Sequence, residues 1–194
     1  MSDIDKEIIR QVLDGNARAF GKLVDRHHAK AMTLAVRILK NREDAEEALQ
    51  DSFVRAFRAL SSFEWKSSFS TWFYRIVYNT CATASSKKSR NPSFSLDVED
   101  ELWQRTELAS DEMPPDVSFE SEECVKIIQE EIEKLPAVYG STFTLFAIQE
   151  MSYEEIVQVT GLPIGTVKAR LFRARAMLRD AVLKRMVQAP VLME

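Results

Sequence analysis

Residues 152–175 read SYEEIVQVTGLPIGTVKARLFRAR, and the architecture of the chain follows from them. Ser152 and Glu155 stand at the spacing of a capping box, in which the Ser hydroxyl accepts from the Glu155 N–H and the Glu155 carboxylate reaches back to the N–H of Ser152. Ile156 and Val159 follow at helical spacing, Thr160-Gly161 breaks the helix, and Leu162-Pro163 leads into another. Short helix, Gly-containing turn and long basic helix make the pattern of a helix-turn-helix. In the second helix Ile164, Val167, Leu171, Ala174, Leu178 and Val182 step by three and four and form the stripe predicted to be buried. The face pointing away contains Thr166, Ala169, Phe172, Arg173 and Ala176, flanked by Lys168 and Arg170. Small side chains there permit close approach to base edges, Arg173 can meet a guanine with two hydrogen bonds, and the flanking cations suit phosphates. The bland alternative is an amphipathic helix with ordinary surface Arg and Lys. The agreement of capping box, Gly turn, basic excess and outward face favours DNA.

Working upstream, a helix from about Phe119 places Val125, Ile128, Ile132 and Leu135 on one face, and Pro136 suits the first turn of a further helix ending near Gln149. Before these, Ser95 to Glu123 carries 11 acidic residues against one Arg, with Pro114-Pro115 and scattered Ser, and reads as an acidic flexible linker. The predicted organisation is a first lobe over 1–94, a linker over 95–118, a second lobe over 119–188 and a tail over 189–194. A chain of 194 residues with net charge -4 is, on average, a poor nucleic-acid binder. The average misleads: residues 1–94 carry +5, residues 95–123 carry -10, and residues 162–188 alone carry +6.

The first lobe shows helical periodicity throughout and no alternating strand pattern. Ile4, Ile8 and Val12 mark a short helix before Gly15, and Phe20 to Leu39 trace a long core helix that includes His27. The next helix opens at Asn41 and buries Ala45, Ala48, Leu49, Ser52, Phe53, Ala56 and Leu60. Its opposite face carries Glu43, Glu47, Gln50, Asp51, Val54 and Arg58, so an aliphatic Val54 stands among acids and amides. That face is either a solvated surface or a patch that docks a partner. Phe63 to Tyr78 then places 7 of the 18 aromatic residues in one short stretch, a density that a core alone seldom needs. Phe69, Trp72, Phe73 and Ile76 have the spacing of packing residues, whereas Phe63 and Trp65 fall in a Ser-rich loop where rings are free to act on a ligand. With Lys66 and Arg75 interleaved, the segment has the makings of a single-strand binder, with planar groups for unpaired bases and cations for phosphates.

Other classes fall away. No stretch reaches the roughly 20 apolar residues needed to cross a bilayer, so a cytoplasmic protein without membrane insertion is expected. Cys81 and Cys124 form no Cys-x-x-Cys pair, and His27-His28 has no accompanying ligand cluster, so neither a metal nor another cofactor is expected. The sequence offers no nucleophile-base constellation or phosphate-binding Gly loop, so no enzymatic activity is expected.

These residues resemble the extracytoplasmic-function (ECF, group IV) sigma factors of bacterial RNA polymerase. Residues 152–175 look like the family's region 4, Asp44-Ala45-Glu46-Glu47-Ala48-Leu49-Gln50-Asp51-Ser52-Phe53 resembles region 2.2, and Phe69-Ser70-Thr71-Trp72-Phe73-Tyr74-Arg75-Ile76 resembles regions 2.3 to 2.4. The resemblance implies an all-α fold of two small helical domains and a transcription initiation factor that binds core polymerase. It implies that Glu47, Gln50, Asp51 and Val54 dock on the beta-prime clamp helices, with the beta flap as a second polymerase contact. It implies that Phe63, Trp65, Lys66, Trp72, Arg75 and Asn79 capture melted minus-10 DNA, and that Thr166, Lys168, Ala169, Arg170, Phe172 and Arg173 read the minus-35 major groove. Many members also have an anti-sigma factor as partner. The rival reading is a stand-alone helix-turn-helix regulator, which accounts for the second lobe but gives Phe63 to Tyr78 and Val54 no role.

Overall fold

The computed structural model describes residues 3–88 and 122–188, and among these every regular element is helical. The first lobe contains α1 (Asp3–Leu13), α2 (Phe20–Leu39), α3 (Arg42–Ala59) and α4 (Phe69–Lys88), with single 3-10 turns at Ala17–Ala19 and Leu60–Ser62. The second contains α5 (Glu122–Lys134), α6 (Ala137–Phe143), α7 (Tyr153–Thr160) and α8 (Ile164–Gln188), with a π turn at Thr144–Ile148 between α6 and α7. The predicted linker over 95–118, the tail over 189–194, the predicted helix start at Phe119 and the side chain of Val125 lie outside the described residues.

The helix boundaries have local causes. Asn41 caps α3 by accepting from the N–H of Asp44 at 3.0 Å, and Glu43 and Asp44 sit in the first turn, where carboxylates complement the helix dipole. Ser68 does the same for α4, its hydroxyl accepting from the N–H of Thr71 at 3.0 Å. The capping box is formed as the sequence predicts, with Glu155 N–H donating to Ser152 Oγ at 3.2 Å and Ser152 N–H donating to Glu155 Oε2 at 3.0 Å. Gly161 then ends α7 with φ at +73°, the left-handed conformation that glycine adopts without steric cost. One boundary differs from the prediction: the helix after Pro136 does not run evenly to Gln149. It becomes a π turn in which Gln149 N–H donates to Thr144 O at 3.0 Å, one residue further back than in an α-helix.

The sequence suggests two lobes on a tether, yet in the structure they close on each other. Ile9, Leu23, Phe73 and Val77 of the first lobe belong to the same buried cluster as Leu145, Ile156, Val167 and Leu171 of the second. α4 packs on α7 and α2 packs on α6. Polar contacts ring this joint core. Lys40 Nζ donates to the carbonyls of Glu133 at 2.8 Å and Leu135 at 2.7 Å, a cation at the C-terminal end of α5. Tyr74 donates its phenolic proton to Gln149 Oε1 at 2.8 Å, and the Gln149 amide donates to Lys30 O at 3.0 Å. Thr71 Oγ1 donates to Glu155 Oε1 at 3.1 Å, so the capping glutamate of α7 also ties down the first turn of α4.

Candidate nucleic-acid interface

The outward face of α8 is presented largely as the sequence predicts. Val167, Leu171, Ala174, Leu178 and Val182 are buried, which turns Lys168 and Phe172 to solvent and leaves Thr166, Ala169 and Arg173 half-buried. Phe172 is 63 % exposed, a large apolar ring with no core role. Arg173 is aimed rather than free to swing: its Nη1 donates to the Tyr139 hydroxyl of α6 at 3.3 Å. Lys168 stands over the Tyr153 ring at 5.9 Å, and Arg175 over Phe146 at 5.0 Å.

Two residues of α8 depart from expectation. Ile164, predicted to be buried, is 45 % exposed, because as the first residue of α8 its side chain points back off the helix end and past the packed bundle. Arg170, predicted to flank the reading face, is 3 % exposed. Its guanidinium lies beside the Tyr78 hydroxyl of α4; burial raises the Tyr78 pKa and Arg170 opposes that rise. The wheel of α8 alone sets Arg170 on its flank, and closure of the first lobe covers that flank. In this conformation Arg170 belongs to the joint between lobes and is not available to DNA.

The aromatic segment also rearranges expectation. Phe63 is 6 % exposed, packed against Trp65 at 5.0 Å, Trp72 at 5.2 Å and Phe69 at 6.2 Å between ring centroids. The sequence predicts a free loop ring here. The loop instead folds back over the first turn of α4, and Phe63 becomes the platform on which the two tryptophans rest. Trp65 is 40 % exposed and Trp72 half-buried, so these rings form the accessible aromatic surface. Trp65 has φ at +61°, a conformation unusual for a bulky side chain. Arg75 and Asn79 are exposed and share a face of α4 with Trp72, three and seven residues on. Lys66 is exposed and paired with Glu64 at 2.6 Å.

On α3, Glu47, Gln50, Asp51 and Val54 are all exposed, and Asp51 pairs with Arg55 at 2.8 Å. Val54 is not the lone apolar residue of its surroundings. Phe57, one turn on, is 41 % exposed and rests edge-on against Phe20 at 5.1 Å, which widens the apolar patch. Its place three residues after Val54 was the available signal. Elsewhere, burial pushes the Cys81 thiol up to about 12, so it stays protonated and inert. Among the described residues no His, Cys, Asp and Glu group is arranged to hold a metal, and no helix is long and apolar enough to cross a membrane.

Residues 23–91 match the family model of Sigma-70 region 2, and residues 126–178 match that of Sigma-70, region 4. The chain is 35% identical to the ECF RNA polymerase sigma factor SigW of Bacillus subtilis over 178 residues, covering 90% of this chain and 94% of that protein. It is 34% identical to the ECF RNA polymerase sigma-E factor of Escherichia coli over 180 residues, covering 92% and 94%. It is 32% identical to the RNA polymerase sigma-H factor of Pseudomonas aeruginosa, covering 92% and 93%. Among solved structures, CnrH in complex with the cytosolic domain of CnrY superimposes with a TM-score of 0.62 at 26% identity, over 94% of this chain and 99% of that one. The sigma factor RpoE of Bartonella quintana, in complex with the anti-sigma factor NepR, shares the fold at 23% identity and a TM-score of 0.60, over 85% of this chain and 96% of that one.

Proposed function

The chain belongs to the extracytoplasmic-function sigma factors, transcription initiation factors of RNA polymerase, and from that membership we propose how its surfaces divide the work. Residues 119–188 form the minus-35 reader, in which Arg173 and Phe172 meet base edges while Lys168 and the first turn of α8 meet backbone phosphates. Residues 1–94 bind core polymerase through Glu47, Gln50, Asp51, Val54 and Phe57, and hold melted minus-10 DNA on Trp65, Trp72, Arg75 and Asn79. The part played by these residues is binding, not catalysis. Stacking on an exposed ring offsets the few kcal/mol needed to take a base out of the duplex. The protein works in the cytoplasm.

The observation that supports the reading is that one chain exposes two separate surfaces, the basic outward face of α8 and the Trp65-Trp72-Arg75-Asn79 surface. A stand-alone regulator has use for only the first. The two promoter elements lie about 25 base pairs apart, roughly 85 Å at about 3.4 Å per pair. A compact chain of this length is about 40 Å across. The closed form therefore cannot engage both elements, and the lobes part on the promoter, which also releases Arg170 to the phosphates. An anti-sigma factor, as NepR is in the RpoE complex, would act by holding the lobes away from that arrangement.

Run-off transcription tests the reading. Core polymerase with this chain should start at defined promoters on genomic fragments where core alone does not. Tight binding to duplex DNA with no promoter-specific transcript would instead establish the stand-alone regulator.

A further inference from the structure

We infer that Arg175 is a DNA-phosphate contact held in place by the Phe146 ring, so that Phe146 and Tyr153 form an aromatic shelf for two phosphate-binding cations, Arg175 and Lys168. The inference rests on the reading of α8 as the minus-35 reader and extends it beyond the first turn of that helix. Lys168 and Arg175 stand at i and i+7 on one ridge of α8, with the exposed Phe172 between them. Arg175 lies over Phe146 at 5.0 Å and Lys168 over Tyr153 at 5.9 Å, while the two rings are themselves 5.5 Å apart. The shelf and the cations come from different elements: Phe146 sits in the π turn at Thr144–Ile148, and Tyr153 opens α7.

This arrangement leaves both cations open to an anion. Among the described residues neither Lys168 nor Arg175 pairs with a carboxylate, unlike Arg179 one turn on, which lies beside Asp180 at 3.4 Å. A guanidinium that rests its face on a ring keeps the N–H donors along its edge, and these are the groups that meet a phosphate in pairs. Both rings are half-buried and packed against the core, so they are fixed supports. An Arg that swings freely must be ordered when it binds, whereas one already stacked has lost that freedom beforehand. The π turn, a geometry that recurs at functional sites, carries the ring that does this for Arg175. Two turns of helix set the cations about 10 Å apart along the axis, so they take separate phosphates.

The test uses the full chain and a fluorescein-labelled duplex of about 20 base pairs and mixed sequence, followed by anisotropy between 50 and 200 mM salt. Each cation withdrawn from a duplex lowers the salt slope by about 0.9, so over that range the unmodified chain should lose about 3.5-fold more affinity than Arg175→Ala. Arg175→Lys keeps the charge and should keep the slope, which separates a phosphate contact from damage to the helix. Phe146→Leu should also keep the slope but bind about two- to twelvefold more weakly, because Arg175 must then be ordered on binding. Phe146→Tyr restores the ring and should restore the affinity, and in an Arg175→Ala background Phe146→Leu should cause no further loss. An unchanged slope in Arg175→Ala beside a lowered one in Lys168→Ala overturns the role of Arg175 and leaves α8 as the reader. An equal loss from Phe146→Leu with and without Arg175 overturns its positioning role. Unchanged slopes in both Arg175→Ala and Lys168→Ala, or failure of the unmodified chain to bind, overturns the α8 reading as well.

Discussion

Replacing Gln149 by alanine removes two of the hydrogen bonds that hold the lobes together, from Tyr74 at 2.8 Å and to Lys30 O at 3.0 Å. Each is worth about 0.5–1.5 kcal/mol net. The Tyr74 residue is 2 % exposed, so the truncation also leaves its hydroxyl buried without this acceptor, at about 1 kcal/mol more. Gln149→Ala should therefore destabilise the closed chain by about 3 kcal/mol. Tyr74→Phe removes the same bond but leaves the half-exposed Gln149 amide open to water, and should cost about 1 kcal/mol. In the double variant no hydroxyl is orphaned, and the loss of both bonds should cost about 2 kcal/mol. The two substitutions are then coupled by about 2 kcal/mol, well beyond the few tenths expected of independent sites. Urea unfolding of the four proteins at one pH measures this directly. Additivity within about 0.3 kcal/mol would mean that α4 and the turn before α7 do not touch in solution, and the closed arrangement would be refuted.

Three further outcomes follow from the surfaces. Arg173→Ala should weaken minus-35 duplex binding by about 1–3 kcal/mol and relax sequence preference, whereas Lys168→Ala should weaken cognate and scrambled duplexes alike and lower the salt slope by about 1; equal losses on both duplexes for Arg173→Ala would remove it from base reading. Val54→Asp should abolish capture of core polymerase in a pull-down while changing stability by less than about 0.5 kcal/mol, because the side chain is 46 % exposed; unchanged capture would make the patch an ordinary surface. His27 packs beside Asp5 with its pKa lowered from 6.5, chiefly by burial and against the pull of Asp5. The unfolded chain then binds the proton more readily, so stability is full above pH 6.5 and falls as pH drops through that value. His27→Gln should flatten urea midpoints between pH 7.5 and pH 6, and an undiminished slope would place the titrating group elsewhere.

How far the sequence carried depended on whether a residue's neighbours lie on its own helix or on the other lobe. The buried stripe of α3, from Ala45 to Ala56, and that of α8 from Val167 to Val182 follow from periodicity, because each helix packs by one face. The capping box and the Gly161 stop are set within a few residues and are formed as read. Arg170 and Phe63 came out differently because their surroundings are assembled from afar: Tyr78 of α4 meets Arg170, and a loop folding back on its own helix covers Phe63. The π turn at Thr144–Ile148 left no periodic trace, since its one-residue shift is small against the apolar run TLFAI. Phe57 is legible only through its spacing, one turn from the exposed Val54, because an aromatic on a core helix ordinarily packs inward.

The most direct measurement is the separation of the lobes when both promoter elements are read. Dyes placed on Asp25→Cys and Leu183→Cys, both exposed positions, with Cys124→Ser and the inert Cys81 retained, report it by energy transfer. Transfer should be efficient in the free chain, about 40 Å across, and largely lost in a transcribing promoter complex, where the elements lie roughly 85 Å apart. Undiminished transfer in a complex that still yields promoter-specific transcripts would contradict the use of both surfaces on one promoter.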